Sequence, residues 1–186
     1  MSFLTRKESA AYLIMIDEIK NIILVGFMGS GKTAVGQALA RSLGWEYIDS
    51  DDVIEDKENR LISVIFDEDG EEYFRQAEEE VLEQICSSAK QVIAAGGGAM
   101  TRPKNQEIFK DNGRTVYLYT DAEVIWQRVK DHGHRPLLNV KDPQAKITEL
   151  LNKRESFYNK ADLKVDTSRL TIDEVVVEIR KKICVK

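Results

Sequence analysis

The chain reads as a three-layer α/β fold: a five-stranded parallel sheet flanked by helices on both faces. Three observations predict it. Apolar runs of strand length alternate with stretches of helical periodicity, the pattern of a sheet covered on both sides. The first run, Asn21-Ile22-Ile23-Leu24-Val25, leads straight into a glycine-rich turn and then a helix. The later helical stretches carry recognisable caps.

Taken in order, strands are expected at 21–25, 46–49, 91–95, 115–119 and 163–166, where β-branched and aromatic residues gather. The helix after the first turn directs Ala34, Val35, Ala38, Leu39 and Leu43 inward and stops at Gly44. From Glu72 to Ser87 the positions Phe74, Ala77, Val81, Leu82 and Ile85 share one face. Asp142-Pro143 is an N-cap followed by proline, opening a helix through Ile147, Leu150 and Leu151. Thr171-x-x-Glu174 is a capping box for the last helix, with Ile172, Val175, Val176 and Ile179 inward. The least patterned stretch, Asp131-His132-Gly133-His134-Arg135-Pro136 and onward, is the candidate for a mobile lid spanning about 128–142.

A length of 186 residues suits one domain, expected over 21–186 behind an N-terminal extension of residues 1–20. A net charge of −5 argues against a general nucleic-acid binder, so an anionic ligand must be met by locally placed Arg and Lys. Cys86 and Cys184, without metal-ligand spacing, read as reduced thiols. With no apolar run of membrane-spanning length and no leader signature, a cytoplasmic protein is expected.

The most specific motif is Gly26-Phe27-Met28-Gly29-Ser30-Gly31-Lys32-Thr33. Between a strand and a helix, G-x-x-x-x-G-K-[ST] builds a loop whose backbone N–H groups surround phosphate oxygens. Lys32 can reach the β- and γ-phosphates, Thr33 can ligate Mg²⁺, and the helix N-terminus faces the same anion. A nucleoside triphosphate is the expected ligand. Asp49-Ser50-Asp51 follows the second strand at the carboxyl edge of the sheet, where ligands collect. If that segment is extended, Asp49 and Asp51 point the same way, one toward a metal and one toward substrate. Gly96-Gly97-Gly98 closes the third strand, where a close backbone approach or positive φ is needed and N–H groups can face a substrate. Arg75 and Arg154 are each either a surface ion-pair partner or a fork for a carboxylate. His132 and His134 lack a third ligand and are not read as a metal site, while Arg135 reads as a lid cation. Arg128 either stacks on a base or faces solvent.

Together these segments, with Tyr47-Ile48-Asp49-Ser50-Asp51, Phe74-Arg75-Gln76-Ala77-Glu78, Arg135-Pro136-Leu137-Leu138, Lys153-Arg154-Glu155-Ser156-Phe157-Tyr158 and Val165-Asp166-Thr167, resemble the shikimate kinase family. The resemblance implies the three-layer P-loop kinase fold and transfer of the ATP γ-phosphoryl group to the 3-hydroxyl of shikimate. It implies Asp51, Lys32 and Arg135 as catalytic groups. It implies Gly29, Ser30, Gly31, Lys32, Thr33, Ala34, Arg128, Arg135 and Arg169 around ATP, with Thr33 and Asp49 on Mg²⁺. On the acceptor side it implies Asp51, Arg75, Gly96, Gly97, Gly98 and Arg154, with Glu78 orienting Arg75. Small-molecule substrates only, and a monomer, complete the expectation.

Overall fold

The structure, a computed structural model, describes residues 16–130 and 140–183. Five strands, β1 (Asn21–Val25), β2 (Glu46–Asp49), β3 (Gln91–Ala94), β4 (Arg114–Tyr119) and β5 (Leu163–Asp166), form one sheet in the order β2-β3-β1-β4-β5. Every pairing is parallel. Around it lie α1 (Lys32–Leu43), α2 (Ser50–Glu58), α3 (Ile62–Glu68), α4 (Gly70–Ser87), α5 (Pro103–Asn112), α6 (Ala122–Val129), α7 (Pro143–Tyr158) and α8 (Ile172–Ile183). The strands match the sequence expectation to within a residue at each end.

Alternation along β1 builds two cores. Ile22 and Leu24 point to one face, where they meet Val35 and Leu39 of α1 and Val175, Val176 and Ile179 of α8. Ile23 and Val25 point to the other, against Val81 and Leu82 of α4, Phe109 of α5, Ile125 of α6 and Ile147 of α7. Because β1, β3 and most of β4 are buried on both faces, their apolar residues run continuously rather than alternately, whereas the edge strands β2 and β5 keep exposed residues.

The caps behave as their residues dictate. Gly44 ends α1 in the left-handed conformation, and the Asp142 side chain accepts from the Ala145 N–H at 2.9 Å. The Thr171–Glu174 box closes in both directions, at 2.8 and 3.3 Å. One expectation for α8 fails: Ile172 is 46% exposed, at the helix's first turn ahead of the buried Val175, Val176 and Ile179. The segment before β1 is held as well. Ile16 and Ile19 are buried in the α1/α8 core, and the Lys90 ammonium donates to the carbonyls of Ile16, Asp17 and Ile19.

The chain passes to one side of β1 for β2 and β3 and to the other for β4 and β5. Its winding therefore reverses beside β1, and the carboxyl end of β1 is the place where such a sheet receives a ligand.

Candidate active site

The turn that leaves β1 is built around left-handed glycines. Gly31, at φ 95°, is the N-cap of α1, and no side chain caps the helix there. A loop that leaves backbone N–H groups uncapped at a helix N-terminus is a site for an anion. The Lys32 ammonium donates to the carbonyls of Gly26 and Phe27, at 3.0 and 3.2 Å, so it lies over the loop. Thr33 and Ala34 are exposed in the first turn of α1, while Ser30 is buried with its hydroxyl oxygen unpartnered.

Asp49 and Asp51 are brought together, though not as extended neighbours. The strand ends at Asp49, and α2 begins at the next residue. Asp49 is the N-cap, its side chain accepting from the Asp51 N–H at 3.1 Å, and Asp51 sits in the first helical turn. A short acidic side chain at a strand end satisfies a helix donor better than an extended strand could, which is why the alternation argument fails here. The other Asp49 oxygen accepts from Thr33 Oγ1 at 3.4 Å and from the Tyr47 hydroxyl at 3.0 Å. Tyr47 reaches it across Gly36 of α1, where a Cβ would meet the ring at 2.6 Å. A hydroxyl and a carboxylate are hard oxygen donors, and two of them beside a phosphate loop fit Mg²⁺, which keeps water and phosphate as its remaining ligands. Among the described residues no group of three or more His, Cys, Asp or Glu is placed to hold a metal alone.

Asp51 is half-buried, and its Oδ1 has no hydrogen-bond partner among the described residues. Burial pushes its carboxyl up to about 6; Asp49 adds to the rise and Lys32 opposes it. A carboxylate with that affinity for protons is suited to receive one from a hydroxyl.

The triple glycine is the hub of the opposite wall. None of Gly96, Gly97 and Gly98 has positive φ, so close approach, not backbone conformation, explains them. A Cβ on Gly96 would meet Glu78 Oε1 at 2.6 Å and Asp51 Oδ1 at 2.8 Å; one on Gly98 would meet the Arg75 guanidinium at 2.5 Å. The Gly97 carbonyl accepts from Arg154 Nη1 at 3.2 Å and from the Tyr158 hydroxyl at 2.5 Å. The Gly96 N–H, which the sequence offered to a substrate, instead donates to Ser50 Oγ.

Arg75 is not a surface residue. It is 9% exposed and donates to Glu78 at 2.9 Å and to Glu71 at 3.1 Å. Glu78 is fully buried, with its Oε1 unpartnered; burial raises its pKa, and Arg75 pulls it back. Glu72 and Glu79 go instead to Arg102, which the sequence reading passed over. Tyr158 was also unassigned there, although its spacing, one helical turn after Arg154, was the available signal.

Arg128 is exposed, yet its guanidinium donates to the carbonyls of Gly29 at 3.1 Å and Thr167 at 2.9 Å, tying the phosphate loop to the loop after β5. The Thr167 hydroxyl also reaches the Ser30 carbonyl. Arg169 is exposed in that same loop. Arg135, His132, His134 and Cys184 lie outside the described residues, as does most of the expected lid.

A phosphate loop, a hydroxyl–carboxylate pair, a basic aspartate and two arginines thus meet at one edge of the sheet. The family model described as shikimate kinase matches residues 28–184. The chain belongs to the shikimate kinase family. The shikimate kinase of Thermodesulfovibrio yellowstonii is 44% identical over 164 residues, 88% of this chain and 95% of that one. That of Cereibacter sphaeroides is 38% identical, over 90% and 84%. Among solved structures, the Acinetobacter baumannii shikimate kinase in complex with shikimate superposes with a TM-score of 0.86 at 40% identity, covering 90% of this chain and 94% of that one. A gluconokinase from Sinorhizobium meliloti, at 20% identity and a TM-score of 0.59, shares the fold. The five-stranded parallel sheet of this shikimate kinase family member is therefore the P-loop kinase sheet the sequence predicted.

Proposed function

We propose that this chain transfers the γ-phosphoryl group of ATP to the 3-hydroxyl of shikimate, giving shikimate 3-phosphate and ADP on the route to chorismate and the aromatic amino acids. The observation that carries the reading is the convergence of Asp51, Arg75 and Arg154 on the Gly96–Gly98 turn, beside the phosphate loop. A small acid with ring hydroxyls needs that combination: cationic forks for its carboxylate and a proton acceptor at one hydroxyl.

Phosphoryl transfer asks the protein for position and charge more than for covalent chemistry. The loop amides of Gly29, Ser30 and Gly31, with Lys32, hold the triphosphate, and Ala34 lies in the helix turn behind them. Thr33 and Asp49 would hold Mg²⁺, which would neutralise phosphate charge when bound. Arg75, kept in place by Glu78 and by the missing side chain of Gly98, pairs with Arg154 to fix the acceptor carboxylate. Gly96 and Gly97 line the space for the ring. Asp51 then faces the hydroxyl and takes its proton as the bond to phosphorus forms. Arg135 closes over the γ-phosphate, and Arg128 and Arg169 flank the nucleotide side.

Residues 21–186 act as one domain, with 1–20 as an extension whose end packs on it through Ile16 and Ile19. The enzyme works as a cytoplasmic monomer on small molecules; among the described residues no helix is long and apolar enough to cross a membrane. The test is ADP release from Mg-ATP with shikimate, gluconate, AMP or CMP as acceptor, with the phosphate position read by NMR. Turnover with shikimate alone, at the 3-hydroxyl, is expected. Preference for any other acceptor overturns the assignment.

A further inference from the structure

We propose that Phe27, a residue of the phosphate loop, is a positioning residue for the acceptor: its ring holds the Arg154 guanidinium in place for the carboxylate. The inference deepens the functional reading above and rests on it. Phe27 is the second residue of the loop motif, a position whose side chain has no part in gripping phosphate. Phe27 is 1% exposed and belongs to the core cluster that includes Val81 and Leu82 of α4, Ile125 of α6 and Ile147 of α7. Arg154 Cζ lies 5.7 Å from the ring centroid, within the range of a cation–π attraction.

Two further contacts join the same places. Arg154 Nη1 donates to the Gly97 carbonyl at 3.2 Å. A Cβ on Gly97 would lie 3.7 Å from both the Gly26 carbonyl oxygen and the Met28 nitrogen, and 3.8 Å from Arg154 Nη1. The loop residues on either side of Phe27 therefore border the space that a side chain on Gly97 would fill, and the guanidinium spans both walls. Arg154 is long and sits on a helix; left alone it would lose rotamer freedom each time it gripped an acceptor. Ring and carbonyl together set its position beforehand, so less is lost on binding. One loop thus serves both substrates, its backbone the nucleotide and its second side chain the acceptor.

The experiment is steady-state kinetics of the full chain with shikimate and Mg-ATP for Phe27→Leu and Phe27→Tyr, alone and combined with Arg154→Ala. The leucine keeps apolar bulk and loses the π face, so shikimate KM rises about tenfold while ATP KM stays within about twofold. The tyrosine keeps the π face, so its added hydroxyl weakens folding while its shikimate KM rises less than that of the leucine. Combined with Arg154→Ala, Phe27→Leu adds nothing further to shikimate KM. Equal rises for the two substrates, a tyrosine as damaging as the leucine, or additive effects with Arg154→Ala would each overturn the proposal. If Phe27→Leu does not fold, Phe27→Met, nearer in volume, carries the same comparison. A separate readout needs no substrate: the Arg154 side-chain NMR resonances are displaced by the Phe27 ring current, and the displacement is lost in Phe27→Leu. Its absence from the unaltered chain sinks the contact, whereas failure to turn over shikimate sinks the functional reading alone.

Discussion

The two halves of the site are made in opposite ways. The proposed nucleotide half is local and mostly backbone: eight consecutive residues, a helix N-terminus and one carboxylate from the end of β2, the strand beyond β3. The proposed acceptor half is assembled from side chains on α2, α4 and α7, which converge on the glycine turn after β3. Backbone geometry set by glycines tolerates changes in distant helices. A wall of buried charges does not, because each group depends on a partner on another turn or another helix. Arg60 on the surface, paired with Glu58, Glu68 and Asp69, shows the contrast. Removing one of its partners costs little, because water and two remaining carboxylates stand in. Taking Glu78 from the buried Arg75 leaves the guanidinium only the exposed Glu71 among the described residues and costs more than losing a surface partner.

The largest effect expected from this difference is at Asp51, where the halves meet. Asp51→Asn should cut kcat by about a thousandfold in a coupled assay while ATP affinity by calorimetry stays nearly unchanged. Near-normal turnover would remove Asp51 from the chemistry. Next comes Arg154→Ala, expected to raise shikimate KM about 10- to 100-fold with little change for ATP. An equal rise for both would erase the distinction between the halves. Gly98→Ala is smaller: its new methyl collides with the Arg75 guanidinium, displacing one fork, and shikimate KM should rise about tenfold. Unchanged kinetics would show that Arg75 has room to give.

The smallest effect is one of stability. The raised Asp51 pKa means that the folded chain resists the charged form. That cost is absent below the ordinary aspartate range and fully present above about pH 6. Asp51→Asn should therefore raise Tm by about 2–6 °C at pH 7.5 without ligands, and by much less near pH 4. A gain that is the same at both pH values would show that charge is not its cause.

What the sequence made legible follows the same division. The phosphate loop, the strands and the caps are short-range features, and Gly31, Asp142 and Thr171–Glu174 do locally what their residue types require. Arg75 and Arg154 stayed ambiguous because an arginine on a helix looks the same whether it meets water or a buried carboxylate; packing decides, and packing is long-range. The glycine triplet was read as a substrate cradle of N–H groups; the structure adds that the missing side chains of Gly96 and Gly98 leave space for Glu78, Asp51 and Arg75. Nothing in three glycines says which side chains will occupy the space they vacate. Arg102 and Tyr158 were missed for a related reason, since their partners lie 23 to 61 residues away.

Gly36 carries a lesson for engineering. Exchanging a helix glycine for alanine is a standard way to harden an enzyme, because glycine within a helix is about 1 kcal/mol poorer than alanine. In α1 this residue is the obvious target. Yet its bare Cα is what admits the Tyr47 ring, and that ring carries the hydroxyl that steadies Asp49. A thermostability library that fills this position would select against the very geometry it is meant to preserve, so the weakest residue of the helix belongs on the list of those left untouched.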